Sequence, residues 1–171
     1  QASEINMSDE KLALFAHLLR RAGFGASRQE LETHIDKKYD ELVDELVHPE
    51  RFPDIETDTL ERYFPHHMGC ENMQGWIYRM INTRRPLQEK MAFFWHHVFA
   101  TGYFKSEHAP TMKTQIDMFR RNGLGKLKDI LLDLSRDPAM LYWLDNRENH
   151  KGSINENYGR ELLELFSMGI G

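Results

Sequence analysis

Apolar residues recur along this chain at three- and four-residue intervals, the spacing that gathers side chains onto one face of an α-helix. The first run covers residues 11–21, where Leu12, Phe15 and Leu19 form a stripe with Leu14 and Leu18 beside it. Ser8 is placed to cap its start, and Gly23 and Gly25 to end it. Ser27-Arg28-Gln29-Glu30 has the form of a capping box, which predicts a second helix running to about Asp36. A third, over residues 39–47, stops before Pro49. Residues 51–58 read as a loop anchored by Phe52 and Ile55, followed by short helices over 59–64 and 73–81. Pro86 suits a first helical position, where its missing N–H costs nothing. From there to residue 100 the sequence is strongly apolar. At about 100° per residue, Leu87, Met91, Phe94, Trp95 and Val98 share a wide face, and this is the expected central helix. A connector over 102–109 leads to helices over 110–121, 126–135 (Leu127, Ile130, Leu131 and Leu134 inward), 138–144 and 155–168. No segment alternates apolar and polar residues between turns as a strand would. The pattern predicts an all-α fold, an irregular multi-helix bundle around residues 86–100 with no sheet. Residues 1–171 form a single helical domain in this reading.

Composition narrows the function classes. With 40% hydrophobic and 29% charged residues in 171, the chain has the balance of a globular domain that can bury a core. Its net charge of -5 is mixed along the sequence, which argues against a nucleic-acid partner. The doublets Arg20-Arg21, Arg84-Arg85 and Arg120-Arg121 read as solvated helix ends. A single cysteine, Cys70, excludes an intrachain disulfide and a multi-cysteine zinc site. No apolar run approaches the ~20 residues that span a bilayer. No signal peptide is present, although the chain starts at Gln1 rather than Met, which leaves room for a removed leader.

The candidate chemistry lies in the last third. Residues 145–157 contain one aliphatic side chain, Ile154, among amides, carboxylates and cations, between two apolar helices. Such loops commonly carry binding or catalytic groups. The binding candidates are Asp145, Asn146, Asn155, Glu156, Asn157 and Arg160. An EF-hand register from Asp145 puts Asn149 at position five and Glu156 at twelve, but Arg147 falls at three and His150 where the turn needs glycine. The same residues also read as structural caps, Asn155 for the last helix and Asp145 and Asn146 for the turn before it. On the last helix Tyr158, Leu162, Leu165 and Phe166 share one face, with Asn157, Glu161 and Glu164 nearly opposite. His96, Glu156, Glu161 and Glu164 are the metal candidates, since carboxylates and a histidine from facing helices can hold a divalent cation in a bundle; a solvated acidic face and a hydrogen-bonded core histidine are the plainer alternatives. His66 and Cys70, four apart, supply two of the four ligands a closed zinc site needs.

Several segments together resemble a bacterial family named only as domain of unknown function 1800. They are residues 17–25 (His-Leu-Leu-Arg-Arg-Ala-Gly-Phe-Gly), 86–96 (Pro-Leu-Gln-Glu-Lys-Met-Ala-Phe-Phe-Trp-His), Asp137-Pro138-Ala139-Met140-Leu141, Trp143-Leu144-Asp145-Asn146 and 155–171. The resemblance implies a large helical bacterial protein, often exported, with no established activity. It also implies a family domain that continues past Gly171. The family's Trp-His-x-His-Phe string is altered here to Trp95-His96-His97-Val98-Phe99, so Val98 replaces the second histidine.

Three functions stay open at this level. The first is a binding or scaffold module whose polar loop recognises carbohydrate or another exported protein, with Tyr142 or Trp143 to stack on a sugar and a cation to assist. The missing C-terminal part of its own chain is a further expected partner. The second is a metal-dependent hydrolase or oxidoreductase built on the carboxylates and His96. The third is a purely structural helical domain.

Overall fold

The computed structural model describes residues 2–63 and 71–169. The histidine–cysteine pair His66 and Cys70 lies outside the described residues, as does His67. Eleven α-helices and no strand occur among the described residues. An isolated bridge joins His150 and Ser153.

Local sequence explains most of the boundaries. Helix α1 (Ala2–Ala22) runs through Ser8, which therefore caps nothing; residues 2–10 contain no glycine or proline to stop the helix from extending that far. Helix α2 (Arg28–Thr33) opens with the predicted capping box. Ser27 Oγ accepts from the Glu30 N–H at 3.2 Å, and the Glu30 carboxylate accepts from the Ser27 N–H at 2.6 Å. It ends at His34, short of the expected Asp36. Helix α3 (Tyr39–Val47) stops where Pro49 requires, and a 3-10 turn follows (Pro49–Arg51). Next come α4 (Thr57–Tyr63), α5 (Glu71–Asn82) and α6 (Pro86–Val98). The expected connector contains a single helical turn, α7 (Tyr103–Ser106). Helices α8 (Ala109–Asn122), α9 (Leu127–Leu134), α10 (Pro138–Trp143) and α11 (Asn157–Glu164) complete the chain. No helix among the described residues is long and apolar enough to cross a membrane.

Two apolar clusters form the core. Phe15 and Leu19 of α1 pack with Leu42 and Leu46 of α3 in one of them, joined by Leu87. Ala92, Phe99, Met118, Phe119, Ile130, Leu134 and Met140 make the other. Helix α6 reaches both, which makes it the central element that its composition predicts. Its closest partner is α8. Their approach depends on Gly123, where a Cβ would stand 2.5 Å from the Phe119 carbonyl and 3.1 Å from Trp95. The Trp95 indole N–H donates to the Gly123 carbonyl at 2.8 Å.

Three predicted inward residues point out. Phe94 is 48% exposed, because the fully buried line on α6 is Glu89 and Ala92, continued by Phe99 just past its end, rather than the most apolar face. Leu127 is 42% exposed at the first position of α9. Leu165 is 61% exposed because α11 ends at Glu164. Beyond that the chain closes in a wider turn, with Phe166 N–H bonded to the Glu161 carbonyl at 2.9 Å.

Candidate functional site

The polar loop between α10 and α11 is tied down by its own amides. Asn155 Nδ2 donates to the Asp145 carbonyl at 3.1 Å, its Oδ1 accepts from the Asn157 N–H at 2.9 Å, and its N–H donates to Asn149 Oδ1 at 3.3 Å. Asn157 Nδ2 reaches the Leu144 carbonyl at 3.4 Å. Asp145 adopts a positive φ of 56°, a conformation that aspartate tolerates better than most residues, and its carboxylate meets Lys105 at 2.9 Å. The Asn155 side chain engages the second N–H along, so α11 starts at Asn157 rather than Asn155. Three of the six binding candidates, Asp145, Asn155 and Asn157, are thus occupied as braces.

The other three, Asn146, Glu156 and Arg160, line a shallow depression of about 500 Å³ together with Asn155 itself, Ile154 and Tyr158. Glu156 is exposed, its carbonyl accepting from the Arg160 N–H at 2.9 Å, and its carboxylate has no hydrogen-bond or ion-pair partner among the described residues. Asn146 Oδ1 accepts from Asn149 Nδ2 at 3.3 Å. Arg160 lies along α11 with Glu161 at 3.0 Å and Glu164 at 3.6 Å. The neighbouring aromatics are partly engaged. The Arg147 guanidinium sits 4.5 Å from the centre of the Tyr142 ring, and Trp143 packs edge-on with Phe104 at 5.3 Å.

The expected metal grouping does not assemble. Among the described residues no three of His, Cys, Asp and Glu come together as ligands. His96 packs against α5: its ring meets Trp76 edge-on at 5.5 Å, Gln115 of α8 lies beside it, and its Nδ1 is buried without a hydrogen-bond partner among the described residues. Burial holds its pKa below the ordinary histidine value, opposed in part by Gln115, so the imidazole is neutral at neutral pH. Glu161 and Glu164 turn to Arg160 instead.

A second polar centre escapes an apolar count altogether. Glu89 is fully buried on α6. Arg120 of α8 grips it bidentately, Nε to Oε1 at 2.6 Å and an Nη to Oε2 at 3.1 Å. The Trp76 indole donates to Oε2 at 3.1 Å, and Arg79 of α5 lies 3.6 Å from Oε1. Arg79 also pairs with Asp54, and Arg120 with Asp117. Arg85 donates to the Phe52 carbonyl at 2.5 and 2.8 Å, fixing the loop that carries Asp54. Burial raises the Asp54 pKa, but the charge and hydrogen bond of Arg79 outweigh it and leave the carboxyl below its usual range. Burial likewise disfavours the Arg120 charge, and Glu89 more than restores it. The helix-end reading of the arginine doublets therefore holds for Arg20, Arg21, Arg84 and Arg121, which are exposed, and fails for Arg85 and Arg120. The sequence signal is the helical angle Glu89 shares with His96.

The Asp137-Pro138-Ala139-Met140-Leu141 segment is explained by a third buried group. Asp137 caps α10 by accepting from the Met140 N–H at 2.8 Å, and the same oxygen accepts from Gln115 Nε2 at 2.7 Å. Thr101 donates to the other end of that glutamine amide. Burial raises the Asp137 pKa despite these hydrogen bonds. A carboxyl whose pKa is raised on folding holds its proton in the native state at pH values where the unfolded chain has lost it, so stability falls as pH rises through that window. An asparagine at this position would offer the same acceptor oxygen without the charge. Asp137→Asn is expected to be at least as stable at neutral pH and to flatten the fall in melting temperature as pH rises above the ordinary aspartate range, measured by thermal denaturation.

Fold and site thus define a bundle of helices around a buried charge network, with a braced polar junction at one end. The family described as Protein of unknown function (DUF1800) matches residues 17–171, and the chain belongs to that family. No curated protein and no solved structure matches the chain.

Proposed function

We propose that this chain is a binding module of an exported bacterial protein, with its recognition surface at the α10–α11 junction. The observation that supports this is the division of labour among the junction's polar groups. Asp145, Asn155 and Asn157 hold the backbone still, while Glu156 stands free at the depression beside Asn146. A fixed frame carrying an unpaired group lowers the entropy lost on binding. Carbohydrate hydroxyls suit a carboxylate and an amide, and they are read by hydrogen bonds because Tyr142 and Trp143 are partly engaged. Export follows the family resemblance.

The bracing also favours a second reading, in which the junction serves only stability. One pair of variants separates the two. Asn155→Ala removes a cap and is expected to cost about 1 kcal/mol of stability. Glu156→Ala removes no internal contact; its stability should stay within about 0.5 kcal/mol of the parent while binding on a glycan array, followed by calorimetry, is lost. If the parent binds no glycan, or Glu156→Ala binds as well as the parent, the structural reading stands.

A further inference from the structure

We propose that the cleft between α4, α5 and α8 is an oxyanion-binding site, distinct from the α10–α11 junction. The cleft measures about 280 Å³ and is walled by Arg79, Lys113, Arg120 and Arg121 against two carboxylates, Asp54 and Asp117. Glu89 lies buried beneath, the only further acid among the described residues bonded to these arginines. Positive charge therefore exceeds negative in the walls of the cleft. Arg121 is exposed, and its guanidinium has no ion-pair or hydrogen-bond partner among the described residues.

The inner wall is preorganised. Arg79 and Arg120 keep only 9% and 11% of their side chains exposed, each anchored on two carboxylates. Arg120 uses Nε and both terminal nitrogens in those bonds, yet each terminal nitrogen carries a second N–H. A planar guanidinium held in this way offers its remaining donors to two oxygens at once, which matches a carboxylate or a phosphate. Desolvating several charges in one place is a poor way to gain stability, since apolar packing of the same volume does as well or better. Recognition of an anion gives the arrangement a use. The ligand class is a small oxyanion, either a phosphate or a carboxylate group, with Arg121 and Lys113 closing over it from the rim.

Calorimetry at low salt with inorganic phosphate in one arm and citrate in the other tests this. At least one is expected to bind the parent, with affinity falling as salt is added. Which arm binds identifies the oxyanion. Arg121→Glu breaks no internal contact and should weaken binding by about tenfold or more, the worth of a charged hydrogen bond. Asp117→Asn frees Lys113 and one donor of Arg120 from an internal competitor, and should tighten binding about threefold, the scale of a partly exposed ion pair. A merely structural network would show no tightening. Absence of binding in both arms, or affinities unchanged by Arg121→Glu, would overturn the proposal. Neither result bears on glycan binding at the junction, which is tested with Glu156.

Discussion

Glu89→Ala is expected to lower the free energy of unfolding by about 3–5 kcal/mol, the usual cost of removing one partner from a buried ion pair. The carboxylate is fully buried and serves three donors: the Arg120 fork, the Trp76 indole and, at longer range, Arg79. Its removal leaves the Arg120 guanidinium with Asp117 alone and the Trp76 N–H without an acceptor. Domains of this size are stable by roughly 5–15 kcal/mol, so the variant should sit near the edge of folding. Glu89→Gln keeps the shape and an acceptor oxygen, and should fall between alanine and the parent. The control is Asp58→Ala, which breaks the exposed pair with Arg62 and should have little effect. Urea titration of the three variants makes the comparison. A Glu89→Ala protein as stable as the Asp58→Ala control would mean that the network contributes nothing and that the arginines find water instead.

That network marks where reading the sequence succeeds and where it fails. Capping residues act over three or four positions, so Ser27, Glu30, Pro49, Pro86 and Pro138 announce their helix boundaries correctly. The identity of the central helix is also legible, because residues 86–98 are strongly apolar and, among the described residues, contribute to both clusters. Its orientation is not. Counting apolar residues turns Phe94 inward and leaves Glu89 on the rim, whereas the buried line runs through Glu89. A charge becomes a core residue only when a partner arrives from elsewhere, here Arg120 from thirty-one positions on and Arg79 from the preceding helix. No local pattern records that meeting. The same limit explains the metal candidates: one helix places Glu161 and Glu164 near each other, but whether His96 joins them depends on which neighbour α6 faces. The loop is legible as an amide-rich junction, and its bracing role is carried by Asp145, Asn155 and Asn157.

The junction's position in turn depends on a residue far from it in sequence, and Phe99→Ala should expose that dependence. Phe99 is 1% exposed at the end of α6. Its ring stacks on Trp95 at 5.5 Å and on Phe119 at 5.7 Å, and meets Phe166 edge-on at 5.1 Å. It therefore joins α6 and α8 to the segment that ends α11. Truncation to alanine in such a setting removes apolar contact and leaves a cavity, for an expected loss of about 3–5 kcal/mol. The effect should not be uniform. Helix α11 has no fully buried residue of its own and is held to the core through Tyr158 and Phe166. Losing Phe99 takes away the partner of Phe166, so amide hydrogen exchange should quicken in α11 before it does in α1 or α3, whose cluster around Phe15 is separate. Phe104→Ala, at a ring 77% exposed, should produce neither effect. If exchange in α11 keeps pace with that in α1, the helix is anchored by its loop rather than by Phe166, and the Asn155 brace carries more of the junction than packing does.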